Sequence, residues 1–91
     1  MIVSLATAKQ YLRVDYDDDD RLIRKFIKTG ETLCRDTLRI SDDETWEPDQ
    51  TVKIAVLYTV AYLYEHRENA DMSELTRSLR YILSTKRKVA F

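Results

Sequence analysis

The chain has 91 residues, of which 44% are apolar and 34% charged, with a net charge of −1 at neutral pH. That length makes one domain, and the mixture is globular, too rich in apolar side chains for a disordered segment. The near-zero charge gives no global drive to wrap nucleic acid, no apolar run reaches the about 18 residues that suggest a membrane span, and one glycine with one proline leave little turn chemistry for a β-rich fold.

In chain order, Ser4 opens a first short helix, because its hydroxyl can accept hydrogen bonds from the free N–H groups of the first turn. Leu5, Ala8 and Leu12, with Tyr11, line one face at spacings of three and four. Asp15 to Asp20 carries five acids and no base and reads as a solvated turn. Asp17 or Asp18 caps the second helix, and the remaining acids favour its positive N-terminal end. That helix is strongly periodic: Leu22, Ile23, Phe26, Ile27, Leu33, Cys34, Thr37 and Leu38 fall on one stripe. Gly30 interrupts it at a cost of roughly 1 kcal/mol relative to alanine. Either another backbone approaches closely there or the glycine is a weak spot, and the sequence leaves both open.

Ile40 to Glu47 reads as a polar, acidic loop, with Pro48 as the first residue of a third helix, where its missing N–H does no harm. That helix runs to about Arg67 and is apolar nearly all round from Val52 to Tyr64. A helix apolar on every face must be buried on every face. A small bundle covers most of that surface, and the tyrosine-rich excess has the composition of a protein–protein interface. Glu68 to Asp71 is a loop, after which Ser73 caps a fourth helix with Glu74 in its first turn. Met72, Leu75, Leu79, Ile82 and Leu83 supply the core face. The expected architecture is all-α: a small four- to five-helix bundle over residues 1–84, with 85–91 as a basic C-terminal tail ending in Val89-Ala90-Phe91.

Catalytic chemistry is sparse. His66, the one histidine, sits late on a helix and reads as a surface or capping residue. Cys34, the one cysteine, lies in an apolar pattern with no base beside it, so a reactive thiolate is not expected. It cannot form an internal disulfide, and it fits a reducing compartment. Met1-Ile2-Val3 runs straight into a capped helix, without the pattern of a secretion signal, which points to a cytoplasmic site of synthesis. A calcium loop of the helix–loop–helix type needs glycine at its sixth position and glutamate at its twelfth. Starting at Asp15 these are Asp20 and Phe26, and starting at Asp17 they are Leu22 and Lys28, so both fail. One cysteine and one histidine do not make a zinc site. No catalytic residue, metal or cofactor is therefore expected.

The charge distribution says more than its sum. The acidic stretch at 15–20 is followed by a second, Asp42, Asp43, Glu44, Glu47 and Asp49, whereas Arg77 to Lys88 holds five bases and no acid. Such a chain is solvated by these charges, and it can also dock acidic part to basic part with another copy of itself. The bases Arg77, Arg80, Lys86, Arg87 and Lys88 could touch phosphates, which makes a small DNA-binding or regulatory module, monomeric or dimeric, the alternative reading. Against it, the fourth helix offers no Asn or Gln for base readout.

Several pieces occur in an order that resembles the small all-helical head-tail connector proteins of tailed bacteriophages. They are Ser4-Leu5 with Ala8-Lys9 and Tyr11-Leu12-Arg13-Val14-Asp15, then Asp18-Asp19-Asp20 leading into Leu22-Ile23. Val52-Lys53-Ile54-Ala55-Val56-Leu57 with Tyr64-Glu65-His66-Arg67-Glu68 follows, and Leu75 to Leu83 with Arg87 closes the pattern. Gly30, where small alanines are more usual, and the lack of a proline before the last helix depart from it. The resemblance implies a non-catalytic subunit that forms rings of about a dozen copies, the contacts being head-to-tail. Such a ring sits on the portal protein, extends the DNA channel without binding DNA specifically, and meets a tail-ward head-completion or tail protein. It implies a place in the virion at the head–tail junction after synthesis in the host cytoplasm. On this reading Asp17, Asp18, Asp19, Asp20, Tyr64, Arg67 and Glu68 contribute to subunit or portal contacts, and Lys86, Arg87 and Lys88 of the tail form a second candidate contact.

Overall fold

The computed structural model describes residues 2–39 and 49–84. Four helices occupy them, with no strand among the described residues: α1 (Leu5–Leu12), α2 (Asp20–Leu38), α3 (Gln50–Glu65) and α4 (Met72–Leu83). The chain is all-α, as its composition predicts. The expected tail and the Ile40 to Pro48 segment lie outside the described residues.

The helix starts are set by short polar side chains, though not always the expected ones. Ser4 caps α1, its Oγ accepting from the Thr7 N–H at 3.1 Å. The cap of α2 is Asp19, not Asp17 or Asp18, and its carboxylate makes no capping hydrogen bond because it is engaged elsewhere. α3 begins after Asp49, which accepts from the Val52 N–H at 3.2 Å, so the helix starts two residues past Pro48. It ends at Glu65 rather than Arg67. Asp71, not Ser73, caps α4, one carboxylate oxygen accepting from the N–H groups of both Ser73 and Glu74. A cap that satisfies two free donors outcompetes the nearby serine.

Two helices end on arginines in the left-handed region, Arg13 with φ 60° and Arg39 with φ 59°. At the first, the Arg13 N–H returns to the Gln10 carbonyl and the Val14 N–H to the Lys9 carbonyl. This paired closure satisfies two orphan carbonyls and drops Val14 onto the core. Glycine would adopt this geometry without strain, but the chain's single glycine stands elsewhere.

The core forms where α2, α3 and α4 meet. Ile23 and Ile27 from α2, Val52, Val56 and Val60 from α3, and Leu75, Leu79 and Leu83 from α4 are fully buried. The α4 set recurs every four residues, as a stripe facing one neighbour must. Met72, expected in that stripe, is exposed, as is Tyr11 on α1. α3 is buried over the broadest arc, and its most extensive partner is α2.

Gly30 lies in that seam. A Cβ built on it would stand 3.2 Å from Thr59 Cβ and 3.3 Å from Val56 Cγ1. The glycine is therefore where α3 approaches closely, which decides between the two sequence readings. Thr59 is the one buried polar side chain in the described core, and its hydroxyl is satisfied by donating to the Ala55 carbonyl at 3.0 Å.

Candidate functional site

The acidic turn between α1 and α2 is held from two sides. From α1, Lys9 places its Nζ 2.7 Å from Asp17 Oδ1 and 2.7 Å from Asp20 Oδ1. The Lys9 side chain is largely covered while Asp17 is almost wholly exposed, so Lys9 gathers the turn from beneath. The contacts with Asp17 first, then Asp20, raise the Lys9 amine above its ordinary value, and Lys9 holds the Asp17 carboxyl below the usual carboxylate range. A lowered carboxyl value adds stability above the ordinary range that is lost as pH falls through it. A raised amine value adds stability that is lost as pH rises through it. The clamp is whole between those limits.

From α3, Tyr64 donates its hydroxyl to Asp19 Oδ2 at 2.7 Å, and the Tyr16 hydroxyl stands 2.9 Å from the Tyr64 hydroxyl. Arg67 completes the group, its guanidinium 4.7 Å from the centre of the Tyr64 ring and one nitrogen 3.6 Å from Asp19 Oδ2. This explains the missing cap on α2: the Asp19 carboxylate faces a phenol on α3 and a guanidinium just past its end instead of its own backbone. The four side chains latch the turn onto the C-terminal end of α3. Tyr16 and then Asp19 push the Tyr64 hydroxyl above the ordinary tyrosine range. The latch therefore stabilises the fold below that range and is lost as pH rises through the raised value. Replacing Asp19 by Asn, which leaves the number of tyrosines unchanged, should move one late-titrating phenol to lower pH in the near-ultraviolet absorbance titration. A curve identical to that of the parent chain would rule this latch out.

Just past the latch, His66 ends α3. Its Nδ1 lies 2.9 Å from the Tyr62 carbonyl oxygen, and its ring stacks on the Tyr62 ring with centroids 4.2 Å apart. The Tyr62 hydroxyl in turn accepts from the Asp71 N–H at 3.0 Å and lies 3.3 Å from the Asp71 carbonyl, fixing the α3–α4 turn. This histidine has an end-capping role, in keeping with its sequence reading. Cys34 is fully buried, and burial first, then the nearby Glu31 charge, push its thiol up to about 12. Among the described residues no three His, Cys, Asp or Glu side chains are placed to hold a metal ion. No described helix is long and apolar enough to cross a membrane.

Of the residues singled out in the sequence, the fold joins Asp19, Tyr64 and Arg67 in one cluster and binds Asp17 and Asp20 to Lys9. Asp18 and Glu68 are exposed, the latter in the turn after α3. Lys86, Arg87 and Lys88 lie outside the described residues. Sequence reasoning missed Lys9 and Tyr16 as members of the site. Their signals were a lysine six residues before the acidic run and a lone aromatic inside it.

The geometry is that of a charged cluster at the helix ends whose side chains are held by one another. A family model described as Phage gp6-like head-tail connector protein matches residues 2–89, nearly the whole chain. No curated protein and no solved structure matches.

Proposed function

The chain belongs to the phage gp6-like head-tail connector family, and from that membership we propose that it forms a ring that docks on the portal protein and carries the DNA channel toward the tail. Membership in this family makes it a structural protein of the head–tail junction, working among other head and tail proteins. The ring, the portal and a tail-ward completion protein as its particular partners, and passage of DNA through the lumen without specific binding are the proposed refinements. The observation that carries the reading is the extent of the family match, which takes in the acidic turn, the α3 end and α4 together.

The latch supports this reading physically. A ring closes only if each subunit repeats the same rotation relative to its neighbour, and contact residues fixed before docking lose little further freedom when they bind. The Asp17 to Asp20 turn, Tyr64, Arg67 and Glu68 are proposed contact residues, and of these Asp17, Asp19, Asp20, Tyr64 and Arg67 are already held by the internal bonds described above. The basic residues Lys86, Arg87 and Lys88 are proposed to meet the portal.

Mutation of Arg67 and Glu68 to alanine together should weaken assembly with helicity unchanged, because neither is buried. Sedimentation of parent and variant over a concentration series reads the effect. Assembly by the variant at parental concentrations removes these two residues from the contact.

A further inference from the structure

A second surface lies away from the latch. α4 folds back along α3, and Tyr58, Arg77, Ser78, Tyr81 and Ile82 line an open, mainly apolar groove between the two helices. Tyr81 is 82% exposed, and Ile54, one turn before Tyr58 on α3, is 49% exposed. Large apolar side chains grouped on a small domain mark a contact site. Arg77 and its neighbour Arg80 are exposed, and neither has an ion-pair partner among the described residues. The groove is thus tyrosine-rich and positively charged, a composition typical of interface centres.

The same fold carries its complement. On the α1–α2 turn, Asp15 and Asp18 are exposed and likewise have no ion-pair partner among the described residues. Between them Tyr16 leaves its ring 51% exposed although its hydroxyl is held by Tyr64. The two surfaces are separate. The turn belongs to α1 and the end of α3, the groove to α4 and the earlier part of α3, and among the described residues α1 and α4 make no contact. Ile54 and Tyr64 stand about 15 Å apart along α3 at the rise of an α-helix. One molecule can therefore use both surfaces at once, as a head-to-tail chain of copies requires.

We propose that the groove between α3 and α4 receives the acidic α1–α2 turn of a second copy of this chain, with Tyr16 seated against Tyr58 and Tyr81 and with Asp15 and Asp18 facing Arg77 and Arg80. The inference rests on the connector reading and names the two faces by which its copies meet. The occupant is another copy because this chain presents both halves of a charge-complementary pair. Such pairs fix register and exclude wrong partners.

A charge exchange tests it. Arg77→Glu with Arg80→Glu in one variant, and Asp15→Arg with Asp18→Arg in another, should each weaken self-association more than about tenfold. Mixed in equal amounts, the two should associate again, since each then offers the charge that the other lacks. Sedimentation velocity over a concentration series, with helicity checked by circular dichroism, reads all three. Tyr81→Ala, a surface change, should weaken association without altering either arginine. Variants that associate as the parent does, or a mixture that fails to recover, overturn the pairing. A parent chain that stays monomeric at the highest soluble concentration overturns it too. Stronger association on removal of residues 85–91 would make that segment the occupant of the groove, against the proposal. Each of these outcomes leaves the connector reading standing, because that reading fails separately, on absence of binding to a portal protein.

Discussion

Replacing Gly30 by valine should lower the free energy of unfolding by about 3 kcal/mol, the cost of overpacking a tight seam. The first added carbon already meets Thr59 Cβ at 3.2 Å and Val56 Cγ1 at 3.3 Å. Neither atom is the loose end of a flexible chain. Both belong to fully buried β-branched residues of α3, and Val56 has one strongly preferred rotamer in a helix. Thr59 is further held by its bond to the Ala55 carbonyl. Relief must come from moving α3 away from α2, which loosens the largest helix pair in the molecule. Alanine at the same position gains roughly 1 kcal/mol of helix propensity and loses about 1–3 kcal/mol to crowding, so its net cost is smaller, from about zero to about 2 kcal/mol. For a domain this small a loss of about 3 kcal/mol is a large part of a typical stability of about 5–15 kcal/mol. Urea unfolding followed by circular dichroism measures it as a shift of the midpoint. A valine variant with the parental midpoint would mean that the seam has slack the structure does not show.

Cys34 should react with an alkylating reagent roughly a thousandfold more slowly in the folded chain than in the unfolded one at mildly alkaline pH. The thiolate is the reacting species, and burial together with the Glu31 charge moves the thiol from 9.0 to about 12. Labelling should follow global unfolding and rise steeply in denaturant. Rapid labelling of a chain that keeps its helicity would contradict the packing around α2. The same shift has a consequence for stability. A group whose value is raised on folding stabilises fully below its unfolded value and loses that contribution as pH climbs through the folded one. For Cys34 the window runs from 9.0 to about 12, and Cys34→Ala should flatten the part of the stability–pH curve that belongs to it.

What the sequence made legible was local. The four-residue recurrence of Leu75, Leu79 and Leu83 and the stripe through Ile23, Ile27 and Cys34 announced their buried faces, because a helix repeats its contacts every turn. Ser4 announced its cap for the same reason: donor and acceptor are three residues apart. Tyr11 was misplaced because it stands three residues after Ala8 and Leu12 stands four, and only the second side of that stripe turns inward. The cap of α2 was missed because four consecutive aspartates offer nearly equal candidates, and the choice depends on Tyr64 and Arg67 more than forty residues away. Gly30 was ambiguous for a similar reason, since its meaning lies in Thr59 and Val56 on another helix. The apolar circumference of α3 predicted burial over most of its surface, with a tyrosine-rich excess left for a partner. The structure buries most of it but leaves Ile54 exposed and part of Tyr58 uncovered beside Tyr81. The candidate site was half visible for the same reason: its acids and α3-end residues form obvious clusters in sequence, whereas the groove joins residues of two helices that no spacing connects.

Two kinds of surface thus occupy one small bundle. The latched turn is charged, fixed and negative at its exposed edge. The groove is apolar, aromatic and positive. A ring subunit of the kind proposed, with neighbours on both sides and a different protein above and below, would need such unlike faces.

The most direct test of the connector role is to mix the purified chain with the portal protein of the phage that encodes it and image the product by electron microscopy. The expected product is a closed ring of this chain seated coaxially on the portal, with the channel continuous through both. Portal particles that remain bare at concentrations well above those needed for self-association would contradict it.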